Sequence, residues 1–197
     1  MRYLAALLLL TLSACATYEV TPAGRAILTE NQYFEIVDQN SDQVTRYSGL
    51  YNLLDVQGTA LTSKVLLAQM DQLTRIYQWD ENKFKEEKAK NEGRVNKEAE
   101  FFLAFYTPER KSDDLNKPNT QWRIFLDVDG KRYDGKITKI KIAFPELVSL
   151  YPSFNRFYTP YSVVFNVPMR LVENKPMKMT ITGSVGSAVL NFPKLAN

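Results

Sequence analysis

The sequence predicts a mainly β fold, an immunoglobulin-like antiparallel β-sandwich that carries an inserted long α-helix and an N-terminal signal. Seven or eight short segments alternate apolar and polar residues, which is the period of a strand with one buried face. Turn signals separate these segments, as is typical of a sandwich. Residues 62–90 are the exception, because their apolar residues recur at helical spacing without glycine or proline.

The composition excludes several classes of function. The 197 residues suffice for one well-packed domain. There is no histidine, so the commonest general base and the commonest metal ligand are missing, and we expect neither a metal nor a cofactor. The net charge of +3, without a dense basic run, argues against a nucleic-acid surface. A single cysteine excludes a disulfide within one chain.

The first residues resemble a bacterial lipoprotein signal. Arg2 gives a positive start, and Tyr3–Leu10 form an apolar run that is too short to span a bilayer as a permanent helix. Two small residues lead into Cys15, so that LSAC at Leu12–Cys15 is similar to the lipobox of that class. The alternative is an ordinary secretory signal followed by an unpaired cysteine.

The resemblance implies that residues 1–14 are removed and that Cys15 becomes the first mature residue. It would carry a thioether-linked diacylglycerol and an acylated amine, with palmitate among the acyl chains. Each buried methylene adds about 0.8 kcal/mol of membrane affinity, so two or three chains anchor a protein stably. Position 16 is alanine rather than the aspartate that retains many such proteins in the inner membrane. We therefore expect the outer membrane rather than the inner membrane, facing the periplasm or the cell exterior.

Residues 15–32 contain Pro22, Gly24 and scattered polar residues without a sustained period, which predicts a lipid anchor followed by a flexible tether. The folded domain is expected at residues 33–197. It begins with a strand near Tyr33, where YFEIV is rich in strand-forming residues. Further strands are predicted within Val44–Gln57 and at Phe101–Tyr106, which is apolar on both faces as a central strand would be.

A helical insertion is predicted at about residues 62–92. Residues three, four or seven apart form its apolar face, namely Leu66, Met70, Leu73, Tyr77 and Phe84. The second half is charged and places glutamate–lysine pairs at the favourable i,i+4 spacing. We expect the first half to pack on the sandwich. The second half should project into solvent, either as a solvated face or as a docking arm at Glu81–Arg94.

The C-terminal half predicts strands joined by hairpins. Trp122–Val128 alternates in polarity, and Asp129–Gly130 is a hairpin signal. Asp134–Gly135 predicts a second turn before a strand at Lys136–Phe144, and Ser112–Thr120 predicts a mobile polar loop. Three more strands complete the predicted domain: Tyr161–Val167, Met177–Thr182 and Ala188–Phe192.

No motif in the sequence indicates catalysis. Asp127 and Asp129 resemble the start of a calcium loop, but a strand follows where further oxygen ligands are needed, so a hairpin turn is the better interpretation. The pair Asp113–Asp114 lies in a predicted polar loop without an acid–base partner, which leaves a hydrolase as a distant alternative. The sequence contains no nucleophile elbow, phosphate loop or zinc pattern. We therefore expect a protein that is not an enzyme.

The most unusual local composition is YPSFNRFYTPY at residues 151–161. It supplies the candidate partner-binding residues Tyr151, Phe154, Arg156, Phe157 and Tyr158. Such rings are suited to anchoring a protein partner or to stacking on sugars. Alternatively they cap one end of the sandwich, with a tyrosine corner near Tyr158 or Tyr161 and one or two rings left exposed.

These observations together predict a lipid-anchored envelope protein with a non-catalytic binding or scaffolding role. Its expected contacts are the membrane, through the lipid on Cys15, and a protein partner in the envelope. The alternative is a lipoprotein that binds a carbohydrate or another small ligand.

Overall fold

The computed structural model describes residues 18–193. The predicted signal segment and the predicted lipidation site Cys15 lie outside the described residues. Two strands and a helix open the described chain: β1 (Tyr18–Val20), β2 (Ala26–Leu28) and α1 (Glu30–Gln39). None of the helices described within residues 18–193 combines the length and the apolar character needed to cross a membrane.

Eight antiparallel strands form one large sheet that curls until it is nearly closed into a barrel. They are β3 (Ser41–Ser48), β4 (Tyr51–Ala60), β5 (Ala99–Tyr106), β6 (Arg123–Val128), β7 (Lys131–Lys139), β8 (Thr159–Phe165), β9 (Met177–Thr182) and β10 (Ser187–Phe192). Their order in the sheet is β10-β9-β6-β7-β8-β5-β4-β3. The mainly β prediction is confirmed, whereas the immunoglobulin-like sandwich is not, because all eight strands belong to a single sheet.

Side chains join the two edge strands where the sheet nearly closes. The backbone N–H of Asn191 on β10 donates to the Asp42 carboxylate on β3 at 2.9 Å. Farther along, Arg46 Nε donates to the carbonyl of Ser187 at 3.1 Å. These bonds occupy backbone groups that an open sheet edge would leave without partners.

The interior of the curled sheet is filled by alternating side chains. On β5, Phe101, Leu103 and Phe105 point inward, while Phe102 and Ala104 point outward under the helices. Both faces of this strand are therefore buried, as its continuous apolar run predicts. Gly58 also lies on the inward side, where a Cβ atom would approach the Leu190 side chain to 2.8 Å.

The helices cover the outer face of β3, β4 and β5. Besides α1 they are α2 (Ser63–Tyr77), α3 (Glu81–Val95), α4 (Phe144–Leu150) and α5 (Met169–Val172). The single insertion predicted at 62–92 is thus two helices. The break lies at Gln78, which adopts a left-handed conformation with φ of 50°, and Asp80 caps α3 by accepting from the N–H of Lys83 at 2.7 Å. The separate cap lets α3 turn back against α2.

The predicted tether and the predicted strand at Tyr33 are both corrected by the structure. Residues 18–28 form a two-stranded ribbon, and Tyr33 lies in α1. Thr29 and Gln32 form a capping box that starts this helix. Tyr33 and Val37, four residues apart, are then buried on the same helix face. The cap and this spacing outweigh the strand propensity of YFEIV.

The two predicted Asp–Gly turns have different outcomes. Asp129 and Gly130 have φ of 50° and 73° and connect β6 to β7, which confirms the hairpin. Asp134 and Gly135 instead lie inside β7. A Cβ atom at Gly135 would lie 3.0 Å from the side chains of both Phe165 and Val163, so the glycine serves close packing rather than a turn.

The strand predicted at Lys136–Phe144 ends early, because its partner is interrupted. Ile140 donates to the carbonyl of Pro160 at 3.0 Å, but a proline has no N–H to return the bond. Strand β7 ends at Lys139, and the chain continues into α4. Ile142 and Phe144, whose alternation with Lys141 would have placed them on one face of that strand, are therefore exposed.

Residues 107–122 connect β5 to β6 and pack against the core. Leu115 is buried in the core, and Trp122 Nε1 donates to the carbonyl of Ser112 at 2.7 Å. The loop predicted as mobile at Ser112–Thr120 is thus held by a buried apolar side chain and by hydrogen bonds.

Candidate functional site

The structure divides the predicted aromatic cluster into buried and exposed residues. Tyr151 and Phe154 are only 7% and 5% exposed. The ring of Tyr151 stacks on Phe102, with 3.5 Å between the centroids, and Phe154 meets Phe102 edge-on. These two candidates belong to the core beneath the helices, so neither ring is free to anchor a partner in the way that an exposed ring could. The packing alternative is correct for them.

The hydroxyl of Tyr151 is also committed within the fold. It accepts a hydrogen bond from Gln69 Nε2 of α2 at 3.0 Å. Burial raises the pKa of Tyr151 above its usual range, because ionisation would place a charge in an apolar site. Tyr151 is consequently a neutral side chain that joins α2 to the end of α4.

Phe157 and Arg156 are exposed, and Tyr158 is half-buried beside them. Phe157 is 68% exposed. Its N–H donates to Asn155 Oδ1 at 2.9 Å, which fixes the turn that directs the ring outward. The rings of Phe157 and Tyr158 each meet Tyr106 edge-on at 6.5 Å. The exposed ring is thus held at a defined position on β5 and β8.

The hydroxyl of Tyr158 accepts from Gln43 Nε2 of β3 at 3.3 Å. Burial, followed by the neighbouring Asp55 carboxylate, raises the pKa of Tyr158 above its usual range. Tyr158 therefore borders the exposed residues Arg156 and Phe157 and presents an uncharged phenol to them.

An open apolar groove of about 520 Å³ lies next to these residues. Its lining consists of Ile140, Ile142, Phe144, Pro145, Leu147, Phe154, Arg156, Tyr158 and Pro160. Arg156 is the only charged residue in this lining, and its guanidinium carbon lies 5.2 Å from the centre of the Phe144 ring. The geometry suits an apolar segment that also offers a negative charge to Arg156. We call this surface the aromatic groove.

Sequence reasoning missed Ile142 and Phe144 as members of the aromatic groove. Their alternation with lysines predicts a strand with one buried face. The signal that could have placed them is Pro160 in the partner strand, together with Pro145 near the start of α4. Lys139 and Lys141, which flank Ile140 in the sequence, are exposed but do not line the groove.

Helix α3 does not project from the domain as expected. Phe84 and Val95, toward its two ends, are buried, and the guanidinium of Arg25 lies 3.2 Å from the Phe84 ring centre. The exposed side is paired within itself, with Lys83–Glu87 at 2.7 Å and Lys90–Glu86 at 2.6 Å. Such a face is typical of a solvated helix surface.

The acidic residues considered for chemistry have structural partners. Asp113 accepts from the hydroxyls of Thr159 at 2.5 Å and Tyr161 at 3.0 Å. Asp127 forms a two-pronged pair with Arg132 at 2.8 and 3.0 Å, and this hydrogen bonding lowers the pKa of Asp127. Asp129 pairs with Lys175 at 2.6 Å. In the described part of the chain, no cluster of metal-binding side chains is present.

Comparison with known proteins adds no relative: no protein-family model, no curated protein and no solved structure matches this chain.

Proposed function

We propose that this protein is a lipid-anchored component of the bacterial cell envelope, with a non-catalytic binding or scaffolding role. The lipobox-like LSAC segment supports the anchor at Cys15, preferentially on the outer membrane. The observation that carries the binding role is the aromatic groove, an open apolar surface that includes the exposed residues Ile142 and Phe144 and adjoins Phe157. Exposed apolar patches on otherwise polar domains mark interaction sites.

The chemistry of the aromatic groove favours a protein segment as its occupant. The lining is mostly aliphatic and aromatic, with Arg156 and the edge of Tyr158 as its polar groups. A segment with apolar anchors and one acidic side chain would fill the lining and pair with Arg156. A sugar would bring many hydroxyls that this lining cannot satisfy.

The proposed mechanism is localisation. A lipid on Cys15 confines the domain to a membrane surface and raises its effective concentration for partners anchored in the same membrane. A weak contact at the aromatic groove would then suffice to hold an assembly together. Loss of the lipid should reduce occupancy without altering the groove.

Photocrosslinking in cells tests this proposal. A photoreactive amino acid replaces Phe157, and the matched control places it at Lys178, which is exposed on the outer face of β9. We expect a specific protein adduct from position 157, none from position 178, and less of the adduct in the Cys15→Ser background. Equal labelling from both positions in correctly lipidated protein would contradict the contact surface.

A carbohydrate or another small ligand is the second candidate occupant, because the exposed Phe157 ring is available for stacking. A glycan panel, monitored by intrinsic fluorescence, separates the two. Saturable quenching by a glycan that disappears in Phe157→Ala would replace the protein-binding proposal.

A further inference from the structure

The ribbon formed by β1 and β2 has two chemically different faces. Glu19 and Ile27 are paired in register and point toward α2. Ile27 is buried there, and Glu19 accepts from Arg75 Nε at 2.9 Å. Side chains of paired residues lie on the same face of a strand pair, so the neighbouring pairs must point the other way. The inner face of the ribbon is therefore fixed on the helix layer.

Polar contacts hold both ends of the ribbon on the helices. At its open end, the N–H of Leu28 donates to Asp71 Oδ2 at 3.2 Å, and Arg75 donates to the carbonyl of Leu28. At its turn, Arg25 lies over the Phe84 ring and pairs with Glu81 at 3.4 Å. The ribbon is thus part of the folded domain and cannot act as a long tether.

The outer face of the ribbon is apolar and exposed. It carries the pairs Tyr18–Leu28 and Val20–Ala26, of which Leu28 is half-buried against the cluster of Tyr33, Val37 and Ala68. Tyr18 is 56% exposed and Val20 is 70% exposed. Helix α2, which the ribbon contacts through Arg75, ends in the exposed residues Ile76 and Tyr77. Of the four residues in the two pairs, Tyr18, Val20 and Ala26 are exposed within residues 18–193, whereas Leu28 is partly covered by the helix layer.

The distance from the predicted lipid restricts what this face can contact. Three residue steps separate Cys15 from Tyr18, and they span at most about 11 Å when fully extended. The polar zone on each side of a bilayer is about 5–8 Å thick. A lipid attached at Cys15 would therefore place the start of the ribbon at the level of the headgroups or directly above them.

We infer that the outer face of the ribbon is a membrane-contacting surface, seated in the headgroup region of the membrane that holds the lipid on Cys15. This inference rests on the proposed lipid anchor. Tyrosine is favoured at the boundary between lipid and water, and a small apolar face adds to the affinity of an acyl anchor. The domain then has a fixed orientation, in which the ribbon and the helix layer face the membrane. Strand β9 lies four strands from β5 around the curled sheet and therefore forms the far wall of the domain.

Depth-dependent quenching on the full lipidated protein tests this inference. The only native cysteine is the one that carries the lipid, so Val20→Cys supplies a unique site for an environment-sensitive fluorophore. Lys178→Cys is the control on the far wall. Both proteins are reconstituted in vesicles of phosphatidylethanolamine and phosphatidylglycerol. Nitroxide-labelled lipid and aqueous iodide serve as the two quenchers, and the intact mass and vesicle flotation of each protein are recorded.

We expect the label at position 20 to lose emission with nitroxide lipid and to be protected from iodide, and the label at position 178 to behave in the opposite way. A protein that carries lipid and floats, but whose two labels are equally open to iodide, would overturn the membrane-contacting face while leaving the anchor intact. A protein without lipid would overturn the proposed anchor and, with it, this inference.

Discussion

Phe154 and Phe157 are only three residues apart in one aromatic segment, yet the first packs in the core and the second is available for recognition. Both residues lie in the turn between α4 and β8, and both belong to the same aromatic composition. Phe154 fills a site between Phe102 and Tyr158, whereas Asn155 directs Phe157 outward. The sequence predicts that some rings are buried and one or two exposed, but the assignment depends on contacts with Phe102, which is distant in the chain.

Alanine at each of these two positions should have opposite effects. Phe154→Ala should lower the free energy of unfolding by about 3–5 kcal/mol, because it leaves a cavity in the core. Phe157→Ala should change it by less than about 0.5 kcal/mol, since the ring is mostly in solvent. Denaturant unfolding of both variants measures this difference. Equal destabilisation would show that Phe157 is part of the core and is no candidate for binding.

Asp71 provides a prediction about pH. Burial raises the pKa of Asp71 above that of an unfolded aspartate, and this outweighs the bond from Leu28 and the nearby arginines. A carboxyl with a raised folded-state pKa binds its proton more tightly when folded, so its contribution to stability falls as the pH rises from about 4 through that pKa. The expected consequence is that Asp71→Asn gains stability relative to the native protein over this range.

Urea unfolding of the native protein and Asp71→Asn, at several pH values from 3 to 7, checks the sign of this effect. Asp38→Asn, exposed on α1, is the control for a carboxylate in solvent. A relative stability of Asp71→Asn that decreases with rising pH would contradict the assignment, because it would mean that the ionised carboxylate stabilises the fold.

At the scale of elements, alternation and turn signals predict most of the strands, while contacts between elements decide the remainder. Strands β5, β6, β8, β9 and β10 follow from their alternating or continuous apolar patterns. The start of α4 does not, because it depends on Pro160 across the sheet ending the pairing of β7. The aromatic groove forms where that strand stops, so its residues could only be partly predicted.

Gly135 is another residue whose role depends on contacts between elements rather than on the local sequence pattern. A substitution tests this role directly. Gly135→Ala should destabilise the protein by about 1–3 kcal/mol, because the added methyl would crowd Phe165 and Val163 inside the curled sheet. Gly93→Ala is the matched control, since its position on α3 is open and alanine favours a helix by about 0.5–1 kcal/mol. Thermal unfolding should shift in opposite directions. A neutral Gly135→Ala would show that Phe165 and Val163 move to admit the methyl, and would contradict the close-packing role of this glycine.

At the scale of the whole molecule, the two edge strands meet through a small number of polar contacts. Two hydrogen bonds described above join β3 and β10. The bond from the Asn191 N–H to the Asp42 carboxylate is the shorter of the two. A sequence pattern cannot predict which edges meet, because closure depends on the curvature of all eight strands together. This is the physical reason why the alternating pattern predicts two packed sheets, whereas the eight strands form a single curled sheet.

Removing this contact should loosen the closure. Asp42→Ala is expected to cost about 1–3 kcal/mol, since the partly buried N–H of Asn191 would lose a charged partner. Amide hydrogen exchange should then increase first in β10 and β3. Asp38→Ala, an exposed carboxylate on α1, should leave exchange in both strands unchanged. Unaltered protection of β10 in Asp42→Ala would show that packing alone holds the edges together.

The attachment of the domain to a membrane is the central claim, and the intact mass of the protein extracted from the membrane fraction tests it most directly. We expect a chain that begins at Cys15 and carries a diacylglyceryl group with further acylation, and a Cys15→Ser variant that lacks this mass and leaves the membrane fraction. An unmodified chain, or a Cys15→Ser variant that remains equally membrane-bound, would contradict the lipid anchor at Cys15.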